Sequence, residues 1–307
     1  MRFDIRYRTT FTYEGLVRES QNEIRACPAS DDRQQLIGYR VSTMPGSRVA
    51  GSVDYWGTRV DSFGIRGPHL TLEVIAEAAV ETRQAPLVAS APRLDALSDP
   101  VFVDKHWEYL QTSNHCHWGE GVTVAAARQR EYVGADVVSL VLALHRLAGS
   151  SLTYTPGSTH IGIDVEDVLA SGQGVCQDFA HLAVGMCRSV GIPARYVSGY
   201  IFTTDDATGA DTDENFVEVQ THAWFEAAIP GFGWLALDPT NQREVGLRHI
   251  KIGHGRDYDD VPPFRGSVSG PAQHVVDASV EIRRVPASTG GWQMQNHLHA
   301  QEQQQQQ

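Results

Sequence analysis

The sequence predicts an α+β protein: an antiparallel β region comes first, then a region in which helices pack on an antiparallel sheet. Three observations carry this. Residues 1 to about 84 form apolar-polar alternating runs separated by Pro, Gly, Asp and Ser clusters, the pattern of strands and turns. Between about 101 and 190 the apolar spacing becomes helical. From about 194 the alternation of strands returns. A chain of 307 residues can supply cores for two such regions.

Candidate strands run over 2–13, 19–26, 35–43, 50–65 and 70–82. Leu70, Leu72, Val74 and Ala76 alternate with polar neighbours, as in a sheet with one solvated face. The opening Met1-Arg2-Phe3-Asp4-Ile5-Arg6-Tyr7 has the same alternation and no continuous apolar core, so it reads as a strand and not as a signal peptide. Residues 85–99, rich in Ala, Pro and Ser, read as a linker to a second domain over 100–285. Helices are expected at 101–111, 122–132 and 136–148. Asp164 is positioned to cap a short helix over 165–171. A further helix, about 175–190, stops at Gly191-Ile192-Pro193. Strands follow at 194–203, 216–229 and 233–238, with a last one at 279–285. From 286 on, the composition with its Gln303–Gln307 run is that of a disordered tail.

Composition excludes several functions. With 41% hydrophobic and 20% charged residues the chain has an ordinary globular balance, and a net charge of -12 is unsuited to nucleic acid. No apolar run approaches the ~18 residues of a membrane span, so a cytoplasmic protein without membrane partner is expected. Four cysteines make no disulfide framework. Cys176 and Cys187 are separated by roughly 16 Å on one helix, and all four are expected as thiols. Lysine occurs only at Lys105 and Lys251, with arginine carrying the positive charge, which a codon bias accounts for.

One stretch carries chemistry: Gly172-Gln173-Gly174-Val175-Cys176-Gln177-Asp178-Phe179-Ala180-His181. Glycines 172 and 174 break the chain before Cys176 and permit close approach of a substrate. On a helical projection Cys176, Phe179, Ala180, Ala183 and Cys187 share one apolar, inward face. The unpaired N–H groups at the helix start favour a thiolate and can stabilise an oxyanion. Cysteine is also a common core residue, and Cys187, three turns deeper, is read as core.

His222 opens the second half of a strand, with Trp224 and Glu226 on its face. After the reversal at Pro230-Gly231-Phe232-Gly233 the chain returns to Asp238. A three- or five-residue loop places Asp238 opposite Trp224 and on the face of His222; a four-residue loop turns it away. If the three meet, His222 takes the thiol proton and later protonates a leaving amine, while Asp238 orients the ring.

Gly174-Val175-Cys176-Gln177-Asp178-Phe179-Ala180, Ile192-Pro193-Ala194-Arg195-Tyr196-Val197-Ser198-Gly199-Tyr200, His222-Ala223-Trp224 and Gly233-Trp234-Leu235-Ala236-Leu237-Asp238-Pro239-Thr240-Asn241 resemble the core motifs of bacterial transglutaminase-like proteins. The resemblance covers about 135–245, and the β-rich start resembles the N-terminal region of such proteins. It implies a papain-like cysteine fold, with Cys176 as nucleophile, His222 as base and Asp238 as orienting acid. Gln177 departs from the basic residue of many relatives. The family includes cross-linkers, peptidases, amidases and inactive members.

Gln173 is a candidate oxyanion donor, and Trp224 and Trp234 are candidate walls of the acyl site. His181 points away from Cys176 along its helix and reads as a local hydrogen-bonding residue. His106 with His115-Cys116-His117 matches no zinc spacing, so neither metal nor cofactor is expected. His254, His274, His297 and His299 fall in expected loops or the tail. The expected function is cysteine-dependent acyl transfer on a glutamine side chain or peptide bond of a peptide or protein substrate, through a thioester resolved by water or an amine. A non-catalytic peptide-binding groove is the competing class. Against the alternative that Gln303–Gln307 serve as acyl donors to the enzyme itself, a disordered tail without a role is expected; the oligomeric state is not readable from the sequence.

Overall fold

The computed structural model describes residues 1–86, 88, 91–134, 136–159, 162–203, 215–270 and 273–285. The expected glutamine tail, and part of the expected linker, lie outside the described residues.

The N-terminal region is built from β1 (Arg2–Ile24), β2 (Gln34–Met44), β3 (Ala50–Val53) and β4 (Arg59–Thr82). The two runs expected at 2–13 and 19–26 form one strand. Phe3, Ile5, Tyr7, Phe11 and Tyr13 are buried at odd positions, then Ser20, Asn22 and Ile24 at even ones. Register irregularities between Thr12, Val17 and Glu19 make that change of phase, because one extra residue flips every following side chain.

The helical region comprises α1 (Pro100–Lys105), α2 (Glu120–Val133), α3 (Val137–Ser151), the two-residue β5 (Thr153–Tyr154), α4 (Val165–Ser171), the two-residue β6 (Gln173–Gly174) and α5 (Cys176–Ser189). Asp164 caps α4 as expected, accepting the Glu166 N–H at 3.0 Å. Then come β7 (Ala194–Ile201), β8 (Phe216–Val219), β9 (His222–Ile229), β10 (Gly233–Asp238), β11 (Arg243–Glu244), β12 (His249–Gly255), β13 (Phe264–Ser269) and β14 (His274–Val285).

Two antiparallel sheets result. One runs β2-β4-β1-β14-β8, with β3 on β4 and β13 on β1; the other runs β11-β10-β9-β7-β12. The expected strand 216–229 is therefore two, and they belong to different sheets: β8 pairs with β14, β9 with β7 and β10. The strand expected to close the second domain pairs instead with β1 in the first sheet, Arg2 opposite Val285. The described chain thus interlocks two regions that its sequence separates.

Three layers follow. Phe225, Ala227 and Ile229 of β9 face α3 and α5, meeting Leu140, Leu144, Phe179 and Ala183. The other face of this sheet sits on the first sheet, where Tyr200, Phe202, Ile250 and Ile252 join Phe3, Ile5 and Tyr7. The Phe3 and Phe202 rings lie 5.3 Å apart. Gln34 ties the layers through Lys251, donating to its carbonyl and accepting its N–H, each at 2.8 Å.

Helix α5 departs from the one-faced expectation. Every residue from Asp178 to Arg188 is buried, because helices cover it on one side and the sheet on the other. Its polar side chains are satisfied there. Arg188 donates to the carbonyls of Ala194, Gln111 and Arg256, and His181 accepts the Tyr258 N–H.

Candidate active site

Cys176 is the first residue of α5 and is partly buried, beside Ala180, Tyr196, Ala223 and Val261. The turn before it is pinned. Gly172 ends α4 in the left-handed region at φ 64°, which glycine adopts without penalty. The Asp178 carboxylate accepts the Val175 N–H at 2.8 Å and the Thr159 hydroxyl at 2.6 Å. A Cβ on Gly174 would lie 2.8 Å from the Asp178 Cβ, so this close approach requires glycine.

The β9–β10 hairpin has the loop Pro230-Gly231-Phe232, with Gly233 opposite Ile229 and Leu237 opposite Phe225. Three loop residues put the next pair, Asp238 and Trp224, on the face of His222. His222 Nε2 donates to Asp238 Oδ2 at 2.8 Å. Cys176 lies near enough to act on the ring's pKa, and with Nε2 committed to Asp238 it is Nδ1 that remains for the sulfur. His222 opens β9, opposite Gly199 of β7. The structure brings Cys176, His222 and Asp238 together.

Electrostatics follow from this packing. Burial alone would drive the proton from His222, but the hydrogen bond to Asp238 and the neighbouring Cys176 outweigh it and raise the pKa to about 9. Asp238 is fully buried, which works against its charge. Donors from His222, His249 and Asn241 nonetheless hold it well below the usual carboxylate range. Burial pushes the Cys27, Cys116 and Cys187 thiols up to about 12.

The remaining candidates are dispersed. Trp224 is buried beside the site, its ring centroid 6.2 Å from that of His222 and 5.5 Å from that of His249. Gly199 makes room for it: a Cβ there would stand 2.5 Å from the Trp224 ring. Trp234 shares the face of Asp238 but lies four residues along β10, roughly 13 Å at strand spacing. There Arg195 stacks over it at 3.8 Å and Tyr109 meets it edge-on. Gln173 is exposed in β6.

His106, His115, Cys116 and His117 do not converge on one point. His106 Nδ1 donates to the Phe102 carbonyl, His115 binds Asp259, the Cys116 thiol meets the His181 carbonyl, and His117 faces Asp164. His254, expected in a loop, lies in β12 and accepts from Arg195, and burial is the largest cause lowering its pKa to about 3.

His249 was not singled out by the sequence: it is a lone histidine at a strand start, with no local motif. Its Nε2 donates to Asp238 Oδ2 at 3.1 Å. His222, Asp238 and His249 place ligating atoms within 4.8 Å of one another, a spacing that two N–H···O bonds to one carboxylate oxygen account for. Behind them Glu226 binds Lys251 at 2.9 Å and Arg195 at 2.6 Å, a buried ionic cluster that tertiary packing alone assembles.

Comparison with known proteins agrees with this geometry. Residues 124–239 match the transglutaminase-like superfamily core and residues 3–81 the bacterial transglutaminase-like N-terminal region. An uncharacterized protein of Mycobacterium leprae is 38% identical over 92% of this chain and 99% of its own length. One from Mycobacterium tuberculosis is 33% identical over 92% of each. A protein-glutamine gamma-glutamyltransferase of Pseudomonas aeruginosa is 32% identical over 51% of this chain and 24% of that protein. A solved structure from Cytophaga hutchinsonii, assigned as a candidate cysteine protease, shares the fold over 96% of this chain and 95% of its own, with TM-score 0.66 at 22% identity. With the core and the N-terminal region both matched, and relatives aligned along nearly their whole length, the chain belongs to the bacterial transglutaminase-like superfamily.

Proposed function

We propose that this protein is a cysteine-dependent acyl-transfer enzyme acting on the amide of a glutamine side chain or a peptide bond. The observation that carries the reading is His222 hydrogen-bonded to a fully buried Asp238, with Cys176 of the α5 N-terminus close enough to raise the pKa of the same ring. In this mechanism the thiol proton passes to His222, and the sulfur attacks the amide carbonyl carbon. N–H groups of the first turn of α5 face the developing oxyanion. The C–N bond then breaks as His222 returns its proton to the nitrogen, and ammonia or an amine leaves. Water or a second amine, deprotonated by His222, attacks the thioester and the C–S bond breaks, restoring the thiol. The glutamyl-transferring relative supports an amine acceptor, and with water as acceptor the same thioester is hydrolysed.

Cys176 is the partly buried thiol, whereas Cys27, Cys116 and Cys187 are buried and pushed up to about 12. Iodoacetamide at neutral pH, followed by peptide mapping, is expected to modify Cys176 first, and Cys176→Ala to abolish amide turnover. Equal labelling of the four cysteines would falsify the nucleophile. Glutamine peptides incubated with and without a primary amine separate the transferase from the hydrolase.

A further inference from the structure

We propose that His249 is a positioning residue for Asp238, a fourth member of the site that works as a neutral donor; the proposal rests on the reading of Cys176, His222 and Asp238 above. Its protonation form follows from its neighbours. The Gly246 N–H donates to His249 Nδ1 at 3.2 Å, so that nitrogen carries the lone pair. The proton then resides on Nε2, which faces Asp238 Oδ2 at 3.1 Å.

The ring has little freedom to change. It is buried, held edge-on against Trp224, and fixed at its base by a turn in which the His249 N–H donates to the Gly246 carbonyl at 3.0 Å. The charged groups around it are Asp238 and His222 in the site and Arg243 beyond. Asp31, Arg33, Arg83, Glu226 and Lys251 line the small cavity on its other side.

The consequence concerns the carboxylate. Asp238 Oδ2 receives three donors, from His222 at 2.8 Å, Asn241 Nδ2 at 2.7 Å and His249 at 3.1 Å, while Oδ1 accepts the Asn241 N–H at 3.1 Å. Asp238 ends β10, and both Asn241 bonds come from the turn that directly follows it. His249 comes from β12, a separate strand, and alone anchors the carboxylate to the far side of the sheet. Without it the carboxylate is held, besides His222, only by the adjoining Asn241, its side chain is freer to rotate, and His222 loses the fixed acceptor that aims its Nδ1 at the sulfur.

His249→Leu removes the donor, whereas His249→Gln carries an amide N–H to about the place of Nε2. The rate of Cys176 carboxymethylation by iodoacetamide at neutral pH is expected to fall roughly tenfold in His249→Leu, a part of the roughly 10²–10⁴-fold due to positioned acid–base groups. In His249→Gln it is expected to return to within about threefold of the parent, by the same argument. Equal rates in both variants, lowered or not, overturn the proposal. Circular dichroism and thermal melts check folding, with His249→Met in place of the leucine variant should that one not fold. On the unaltered protein, long-range ¹H–¹⁵N spectra are expected to show the Nε2–H form of His249; an Nδ1–H form overturns the proposal whatever the variants do. Failure of Cys176 to react selectively in the unaltered protein sinks the nucleophile reading instead.

Discussion

Replacing Asp238 by Asn separates the electrostatic part of the site from its packing. The carboxylate accepts four N–H bonds in a fully buried setting. An amide of the same shape offers one oxygen and one NH₂, so in either orientation at least one buried donor faces another donor. That loss is about 1–3 kcal/mol and does not depend on pH. A second loss does depend on pH. Raising the His222 pKa from 6.5 to about 9 favours the protonated ring in the folded state by roughly 3 kcal/mol. Asp238 is the larger of its two supporting partners, so the variant forfeits at least half of this. Because the folded pKa is raised, the stability it contributes is complete below about pH 6.5 and is lost as pH rises through about 9. Urea unfolding between pH 6 and 9.5, with Cys176 retained in both proteins, is expected to show a steeper decline for the parent. The Asn variant should start lower and lie flatter. Parallel curves would refute the claim that the carboxylate raises His222.

Gly174→Ala is expected to dislodge the Asp178 cap, lowering stability by about 1 kcal/mol in a thermal melt and slowing alkylation of Cys176. Gly199→Ala places a Cβ 2.3 Å from the Ile250 carbonyl and against Trp224; a loss of about 1–3 kcal/mol in urea titrations is expected, and an unchanged midpoint would contradict the close packing of β7 on β12. Glu226→Gln strands two buried cations, Arg195 and Lys251, and should cost about 3–5 kcal/mol by urea unfolding. Adding Lys251→Met is expected to recover part of it.

What the sequence made legible was local. The glycine turn, the cysteine at a helix start and the hairpin parity each depend on a few neighbouring residues, and the fold places Cys176, His222 and Asp238 as that reading required. What escaped was set by distant pairing. Residues 216–229 alternate as one strand would, and nothing local marks Gln220 and Thr221 as the point where the chain changes sheets. The burial of the polar residues of α5 escaped because their partners, Gln111, Ala194, Arg256 and Tyr258, lie far along the chain or beyond the helix end. His249 is invisible for the same reason: its importance comes from the carboxylate it meets. Trp234 shows the converse, since a strand face holds residues too far apart to share a site.

The change of sheet after Val219 has a consequence for how the protein can be divided. First and last strands are neighbours, with Arg2 beside Val285, and β8 hangs on β14 three residues before His222. Cutting away residues 1–84 would therefore strip β14 of β1, leave β8 and β14 paired only with each other, and loosen the tether that fixes where β9 begins. The two regions are joined by contacts nearly the whole chain apart, and such topologies fold slowly. A separately expressed core is expected to retain the residues of the site without their alignment.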